Sequence, residues 1–233
     1  MPRIRAVTLD LDDTLWPIWP TLERAERALL EWLRAHAPVT AAQSTRPGAM
    51  REWREQASLN LPDLAHDLGA LRREAIRLAL LGAGEDPALA VPAFEVFFAE
   101  RQRVELFDDA LATLEFLSAR YPVVALSNGN ADVRRVGLAR YFRGAVSMRS
   151  VGIGKPHAPI FLAAAQMAGV TPHEVLHVGD DAHLDGLGAL DAGMQVAWVN
   201  RGGHDWVHEA KQPQVTVGDL ASLCRVLQGR PAP

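Results

Sequence analysis

Apolar positions along the chain follow two different periods. Residues 4–10, IRAVTLD, form a short run that carries β-branched side chains and ends in acids, the pattern of a buried strand opening into a loop. From about Pro20 to Arg103 the period becomes helical. Leu22, Ala25, Leu29, Leu30 and Leu33 recur on one face, with Glu and Arg opposite. Further helices are expected roughly over 64–81 and 93–103, and Pro38, Pro47, Pro62, Pro87 and Pro92 punctuate the region. After Phe107 helix and strand alternate. Helices are expected at about 109–120, 131–141, 159–168 and 183–192, the last ending at Gly193. Strands are expected at 122–128 (PVVALSN), more weakly near 145–148, at 174–180 (EVLHVGD) and over MQVAWV. QVTV at 214–217 suits a short edge strand before a closing helix. Thr171 and Glu174 have capping-box spacing, but Pro172 and the apolar run that follows favour a turn into the strand.

Strands alternating with helices mean a parallel sheet covered on both faces. The first strand lacks a crossover helix of ordinary length and is followed by a long helical block instead. The expected architecture is an α/β fold with a doubly wound parallel-sheet core, residues 1–15 and 106–233, and an all-helical domain inserted at 16–105.

Composition narrows the class. Apolar residues make up 48% and charged residues 22%, which excludes wholesale disorder. A net charge of −4 argues against a nucleic-acid-coating or polybasic membrane protein. No apolar run approaches the ~18 residues of a spanning helix. The start, MPRIRAVTLDLDD, is not expected to be a signal peptide, because Asp10, Asp12 and Asp13 interrupt its apolar stretch. A single cysteine, Cys224, makes neither an internal disulfide nor a Cys-rich zinc site, so a reduced, cytoplasmic protein is expected. Cys224 lies in register with Leu220, Leu223 and Leu227 and is expected in the core. Of the 24 basic residues only Lys155 and Lys211 are lysines.

In an open α/β sheet, ligands bind at the carboxyl ends of the strands. The first strand delivers Asp10, Asp12, Asp13 and Thr14 there. The strand at 122 delivers Ser127, Asn128 and Gly129, the loop before the helix at 159 carries Lys155, and the strand at 174 delivers Asp180, Asp181 and Asp185. Clustered carboxylates repel one another unless a cation intervenes, and hard oxygen ligands suit Mg²⁺. A divalent ion beside an ammonium and a hydroxyl suits a phosphate-bearing substrate. One Asp can then attack phosphorus, and a second, two residues on, can protonate the leaving oxygen.

LDLDDTL, ALSNGN, GKP and HVGDDAHLDGLGALDAGM resemble, in order, the four motifs of the haloacid dehalogenase superfamily. The resemblance covers residues 1–15 and about 106–200 and implies that the helical insert is that superfamily's cap. It implies Asp10 as nucleophile and Asp12 as general acid/base, with Ser127 and Lys155 holding the phosphoryl oxygens. It implies a Mg²⁺ site of Asp10, Asp180 and the backbone carbonyl of Asp12, with Asp185 supporting the metal shell or Lys155. Asp13 replaces the usual Gly, and Asp181 stands where many members have Ser. The segments LDLDDTLW and SNGNADVRRVGLARYF also look like those of bacterial riboflavin-pathway phosphatases, which implies flavin mononucleotide or a related phosphate ester as substrate.

Thr14, Asn128, Gly129, Trp16 and Trp19 are candidate substrate-binding residues, with domain-hinge packing an equal alternative for the two tryptophans. Arg51, Trp53 and Arg54 offer flat apolar surface interleaved with positive charge on a helix of the insert. Other motifs fail. A phosphate loop needs Gly where Arg149 stands and Ser or Thr where Pro156 stands, and a calcium loop from Asp181 would need a ligand at Ala192. His204 and His208 are more readily solvated loop histidines than metal ligands. The leading expectation is a Mg²⁺-dependent phosphatase acting on a small-molecule phosphate ester, as a monomer or homodimer, with no nucleic-acid or membrane partner. The alternatives are a 2-haloacid dehalogenase-type hydrolase, which needs no leaving-group acid, and a non-catalytic binding module.

Overall fold

The computed structural model describes residues 3–46 and 49–229. Pro47, expected to punctuate the helical region, lies outside them. The chain divides into two compact units, one of residues 1–17 and 105–233, the other of residues 18–104.

The larger unit is built on a six-stranded, wholly parallel sheet. Its strands are β1 (Ala6–Leu9), β2 (Val123–Ser127), β3 (Gly144–Ser147), β4 (Val175–Gly179), β5 (Gln195–Val199) and β6 (Val215–Val217), in the order β3-β2-β1-β4-β5-β6. Every residue of β1, β2, β4 and β5 is buried, as expected of strands covered on both faces. The chain winds from β1 through β2 to β3, then returns to place β4 on the other side of β1 and continues outward. The order therefore reverses between β1 and β4, and a ligand crevice opens at their carboxyl ends. In that pair Thr8 stands opposite His177 and Leu9 opposite Val178.

Helix Ala158–Ala168 lies on the sheet through Ile160, Phe161, Ala164, Ala165 and Ala168, packed with Val124, Leu126, Val146 and Val196. Alanine at three of these positions lets helix and strands approach closely. The helix ends at Gly169, in the left-handed conformation at φ 78°. Helices Ala110–Ser118 and Leu220–Leu227 meet where Cys224, part-buried, donates from Sγ to Thr113 at 3.5 Å.

The smaller unit holds helices Ile18–His36, Pro38–Ser44, Ala49–Asn60, Leu68–Gly82 and Ala90–Arg101. Its core joins Ala25, Leu29 and Leu33 to Ile76, Leu80, Ala93, Phe94 and Phe97. Asp67 caps the fourth of these helices by accepting from the Ala70 N–H. Glu85 accepts from the first-turn N–H groups of Val39 and Thr40. The side chains expected to face a substrate have partners inside this unit. Arg51 pairs with Glu55, Arg54 with Glu26, and the Trp53 ring lies where a Cβ on Gly82 would come within 2.8 Å of it.

Two expected elements differ. No helix forms over 131–141. The Asp132 side chain accepts from the Arg134 N–H, Gly137 turns left-handed at φ 86°, and only the short 3-10 turn Ala139–Tyr141 follows. The expected helix 183–192 begins as a π-helical segment, Ala182–Leu187, before the α-turn Gly188–Asp191. The turn Pro172–Glu174 carries the capping-box bonds of Thr171 and Glu174 and leads straight into β4. No described helix is long and apolar enough to cross a membrane.

Phe161 is fully buried between sheet and helix. Phe161→Ala is expected to cost about 3–5 kcal/mol in guanidinium unfolding of the larger unit. A loss below about 1 kcal/mol would mean that the site collapses to fill the space.

Candidate active site

Asp10 leaves β1 with its backbone N–H still on the Val178 carbonyl, 2.9 Å away, so the ladder to β4 holds it at the mouth of the crevice. Lys155 reaches the same point from the loop before helix Ala158–Ala168. Its main chain is clasped by the Asn128 side chain, whose Oδ1 accepts from the Lys155 N–H at 2.7 Å and whose Nδ2 donates to the Lys155 carbonyl at 2.9 Å. The Lys155 ammonium then donates to Asp10 Oδ1 and, at 2.5 Å, to Asp185 Oδ1. All three side chains are buried, with residue exposures of 5% for Asp10, 7% for Lys155 and 2% for Asp185.

Asp185 is supplied by the π-helical segment. Asp185 and Gly186 both donate their N–H groups to the Asp181 carbonyl at 3.0 Å, a widened turn that brings Asp185 back over the end of β4. There its carboxylate sits where any Cβ on Gly179 would lie 2.3 Å from Cγ, so residue 179 must be glycine for this approach. Asp185 accepts from Lys155, from His177 Nε2 at 3.0 Å and from the Asp181 N–H at 3.2 Å. His177 Nδ1 meets Thr8 Oγ1 at 2.9 Å, its direct partner across the ladder. Burial pushes the His177 pKa down, so the ring is neutral. With Nε2–H given to the carboxylate, Nδ1 accepts from the Thr8 hydroxyl.

These contacts divide the acids. Burial opposes the charge of Asp185, but Lys155 and His177 outweigh it and hold Asp185 below the usual carboxylate range. Burial also opposes the Lys155 ammonium, and the two carboxylates outweigh that and raise its pKa. Asp10 is pushed up by burial, against the pull of Lys155, with Asp185 and Asp180 adding to the rise. Asp180 is pushed up to about 7, first by burial and then by Asp185. Ligand oxygens of Asp10, Asp180 and Asp185 lie within 4.8 Å of one another, the one group of its kind among the described residues. Three carboxylates with one ammonium leave two negative charges uncompensated. Oxygen-only donors with that deficit fit a hard divalent cation such as Mg²⁺. The Asp12 carboxylate stands outside the group.

The remaining expected residues are placed as follows. Ser127 ends β2, and its Oγ accepts from the Gly129 N–H at 2.9 Å, which directs the hydroxyl proton elsewhere. Thr14 donates to Asp180 Oδ1 at 2.9 Å. Thr14, Asn128 and Gly129 thus bond to Asp180, Lys155 and Ser127; Thr14 is buried, and Asn128 and Gly129 are half-buried. Trp16 is corrected most plainly. It is fully buried, has no face on which a ligand can stack, and donates from Nε1 to Asp12 Oδ1 at 2.8 Å. Trp19, by contrast, is 69% exposed on the first helix of the other unit. Asp13 adopts a left-handed φ of 58°. That explains why its position is one that glycine commonly fills. Asp181 caps the π-helical segment by accepting from the His183 and Leu184 N–H groups. The His204 N–H is bonded to Asn200, and the His208 ring lies tilted to His183 and edge-on to Trp206, with centroids 5.6 and 5.3 Å away.

Sequence reasoning missed Thr8, His177 and Trp198. Trp198 donates from its indole to the Asp180 carbonyl at 2.7 Å. The available signal was a polar side chain inside each buried apolar run, since such groups require partners.

The haloacid dehalogenase-like hydrolase family model matches residues 4–193, and the chain belongs to that family. It is a hydrolase with relatives named as phosphatases. It is 32% identical to the 5-amino-6-(5-phospho-D-ribitylamino)uracil phosphatase YigB of Escherichia coli K12, over 97% of both chains. It is 35% identical to a phosphoserine phosphatase of Thermus thermophilus, over 94% of this chain and 98% of that one. Among solved structures, one described as 2-haloacid dehalogenase from Pseudomonas syringae pv. tomato DC3000 superposes with a TM-score of 0.90 at 38% identity, covering 97% of this chain and 99% of that one.

A proton on Asp180 competes with any cation, and its pKa of about 7 sets where. Mg²⁺ affinity, measured by calorimetry, is expected to weaken as pH falls through about 7 and to level off above it. Asp180→Asn should remove most of the affinity and reduce that pH dependence to the part that Asp10 contributes. Affinity independent of pH between 5 and 8 in the wild type would remove Asp180 from the cation site.

Proposed function

We propose that the protein is a Mg²⁺-dependent phosphatase that hydrolyses a small phosphorylated metabolite through an aspartyl-phosphate on Asp10. The observation that carries this reading is the buried Lys155 ammonium bonded to Asp10 beside Asp180, a carboxylate nucleophile with cationic charge at its side. Asp10 attacks phosphorus, and the bond to the leaving oxygen breaks. Asp12 donates a proton to that oxygen, then takes one from the water that hydrolyses the intermediate. The Ser127 hydroxyl and Lys155 steady the phosphoryl oxygens. Asp10, Asp180 and the Asp12 carbonyl would hold Mg²⁺, with Asp185 in support, and the ion would neutralise phosphoryl charge. The helical unit is the family's inserted cap domain in this reading.

For the substrate, the near full-length match to a phosphatase of a ribitylaminouracil phosphate supports flavin mononucleotide or a riboflavin-pathway intermediate. The high structural similarity to a protein described as a dehalogenase raises the second reading. A halide leaves without a proton, whereas an alkoxide needs one. Asp12, hydrogen-bonded in place two residues after Asp10, answers the second need and favours the phosphatase. A purely binding role leaves the costly burial of Lys155, Asp10 and Asp185 without a purpose.

A panel of phosphorylated metabolites assayed with Mg²⁺ and with EDTA tests the function. Phosphate release is expected with Mg²⁺ only, with flavin mononucleotide or a sugar phosphate among the substrates. Asp10→Asn should lower turnover by about a thousandfold or more. Chloride release from 2-chloropropionate, with no phosphate released from any ester, would establish the dehalogenase instead. An inert flavin mononucleotide beside an unrelated dominant ester would overturn the flavin assignment alone.

A further inference from the structure

Trp16 takes no part in the chemistry above, yet it is fully buried and its one polar atom is spent on Asp12. An indole N–H donates and never accepts. Asp12 Oδ1 therefore faces a donor whether the carboxyl group is charged or neutral. The bond thus holds one carboxyl oxygen of Asp12 in a fixed place.

The frame around this bond is closed by the backbone. The Asp13 N–H donates to the Trp16 carbonyl at 2.7 Å, and Asp12 pairs with Trp16 in an isolated bridge. The Leu15 N–H returns to the Leu11 carbonyl at 2.8 Å, and the Leu15 carbonyl accepts from Phe107 at 2.9 Å. The left-handed turn at Asp13 folds residues 12–16 tightly enough for an indole four residues on to reach back to Asp12. A rigid, packed ring fixes a carboxylate better than a flexible polar chain, because it has little rotamer freedom to lose.

We propose that Trp16 is a positioning residue for the leaving-group acid: its indole N–H, bonded to Oδ1, fixes the Asp12 carboxyl for proton transfer to the leaving oxygen. This rests on the phosphatase reading. It assigns Trp16 to the protonation of the leaving group and to no other part of the reaction.

The test compares an alkyl phosphate, whose leaving group needs protonation, with p-nitrophenyl phosphate, whose leaving group scarcely does. Trp16→Phe keeps an aromatic ring and removes the donor. The ratio of turnover on the two esters should fall by about tenfold, the size expected for one hydrogen bond to a charged group. A ratio is insensitive to any fraction of the variant that fails to fold. In an Asp12→Ala background, Trp16→Phe should leave the ratio unchanged, because the two residues act as a unit. In the resting protein, Asp12→Ala should shift the Trp16 indole N–H resonance and leave that of Trp198 in place. An unchanged ratio in Trp16→Phe, an equal drop in the Asp12→Ala background, or an unmoved Trp16 resonance would each overturn the proposal while sparing the phosphatase. A wild-type protein that hydrolyses neither ester would remove the phosphatase reading and this proposal with it.

Discussion

An ammonium group buried between two carboxylates is the constraint around which the larger unit is arranged. Taking Lys155, Asp10 and Asp185 out of water is costly, and the cost is met only if every donor finds its acceptor at short range. Each member comes from a different stretch of chain: the end of β1, the loop before helix Ala158–Ala168, and the π-helical segment after β4. The parallel ladder between β1 and β4 brings the first and third together, and the Asn128 clasp delivers the second. Removing one partner from such a set leaves an uncompensated buried charge, a loss of about 3–5 kcal/mol. Site and fold are therefore held by the same contacts.

Around this centre lies a ring of neutral donors, each committed to one acid. The His177 imidazole serves the Asp185 carboxylate, the Thr14 hydroxyl that of Asp180 and the Trp16 indole that of Asp12, while the Trp198 indole holds the Asp180 main-chain carbonyl. Neutral donors orient a carboxylate without cancelling its charge. The negative potential of the crevice is thus kept where a cation and a phosphoryl group would need it. Gly179 completes the arrangement by omission, since a side chain there would occupy the space of the Asp185 carboxylate.

Much of this was legible in the sequence because strand ends are. Asp10, Ser127 and Asp180 each follow a short apolar run, and a parallel sheet brings such termini to one edge whatever lies between them. The structure brings Asp10, Asp180 and Asp185 within 4.8 Å of one another and bonds Lys155 to Asp10 and Asp185. What escaped was set by relations the linear pattern does not carry. The Thr8–His177 bond depends on the register of two strands far apart in the chain. The missing helix at 131–141 turned on a local competition, in which the Asp132 side chain and the left-handed Gly137 offered the backbone an alternative to helical bonding. For Trp16 the linear pattern left domain-hinge packing and substrate stacking equally open. Its burial follows from a turn at Asp13 that non-glycine residues seldom adopt.

The separation of the acids also bears on why this scaffold supports more than one hydrolysis. Asp185 is saturated by Lys155, His177 and the Asp181 N–H, so its charge is neutralised within the protein. Asp10 and Asp180 keep a deficit that burial makes costly, and an external cation would relieve it. A hydrolysis that expels a halide needs only the attacking carboxylate and a place for the departing anion. One that expels an alkoxide needs, in addition, cationic charge on the phosphoryl group and a proton for the leaving oxygen. The two extra requirements map onto two local features of the loop ends: the charge deficit at Asp180, and a second aspartate whose carboxyl is held by an indole. Neither is demanded by the sheet or by the buried ion cluster. They are additions to a common nucleophile, which is how one core can carry both chemistries and why the distinction rests on side chains rather than on fold.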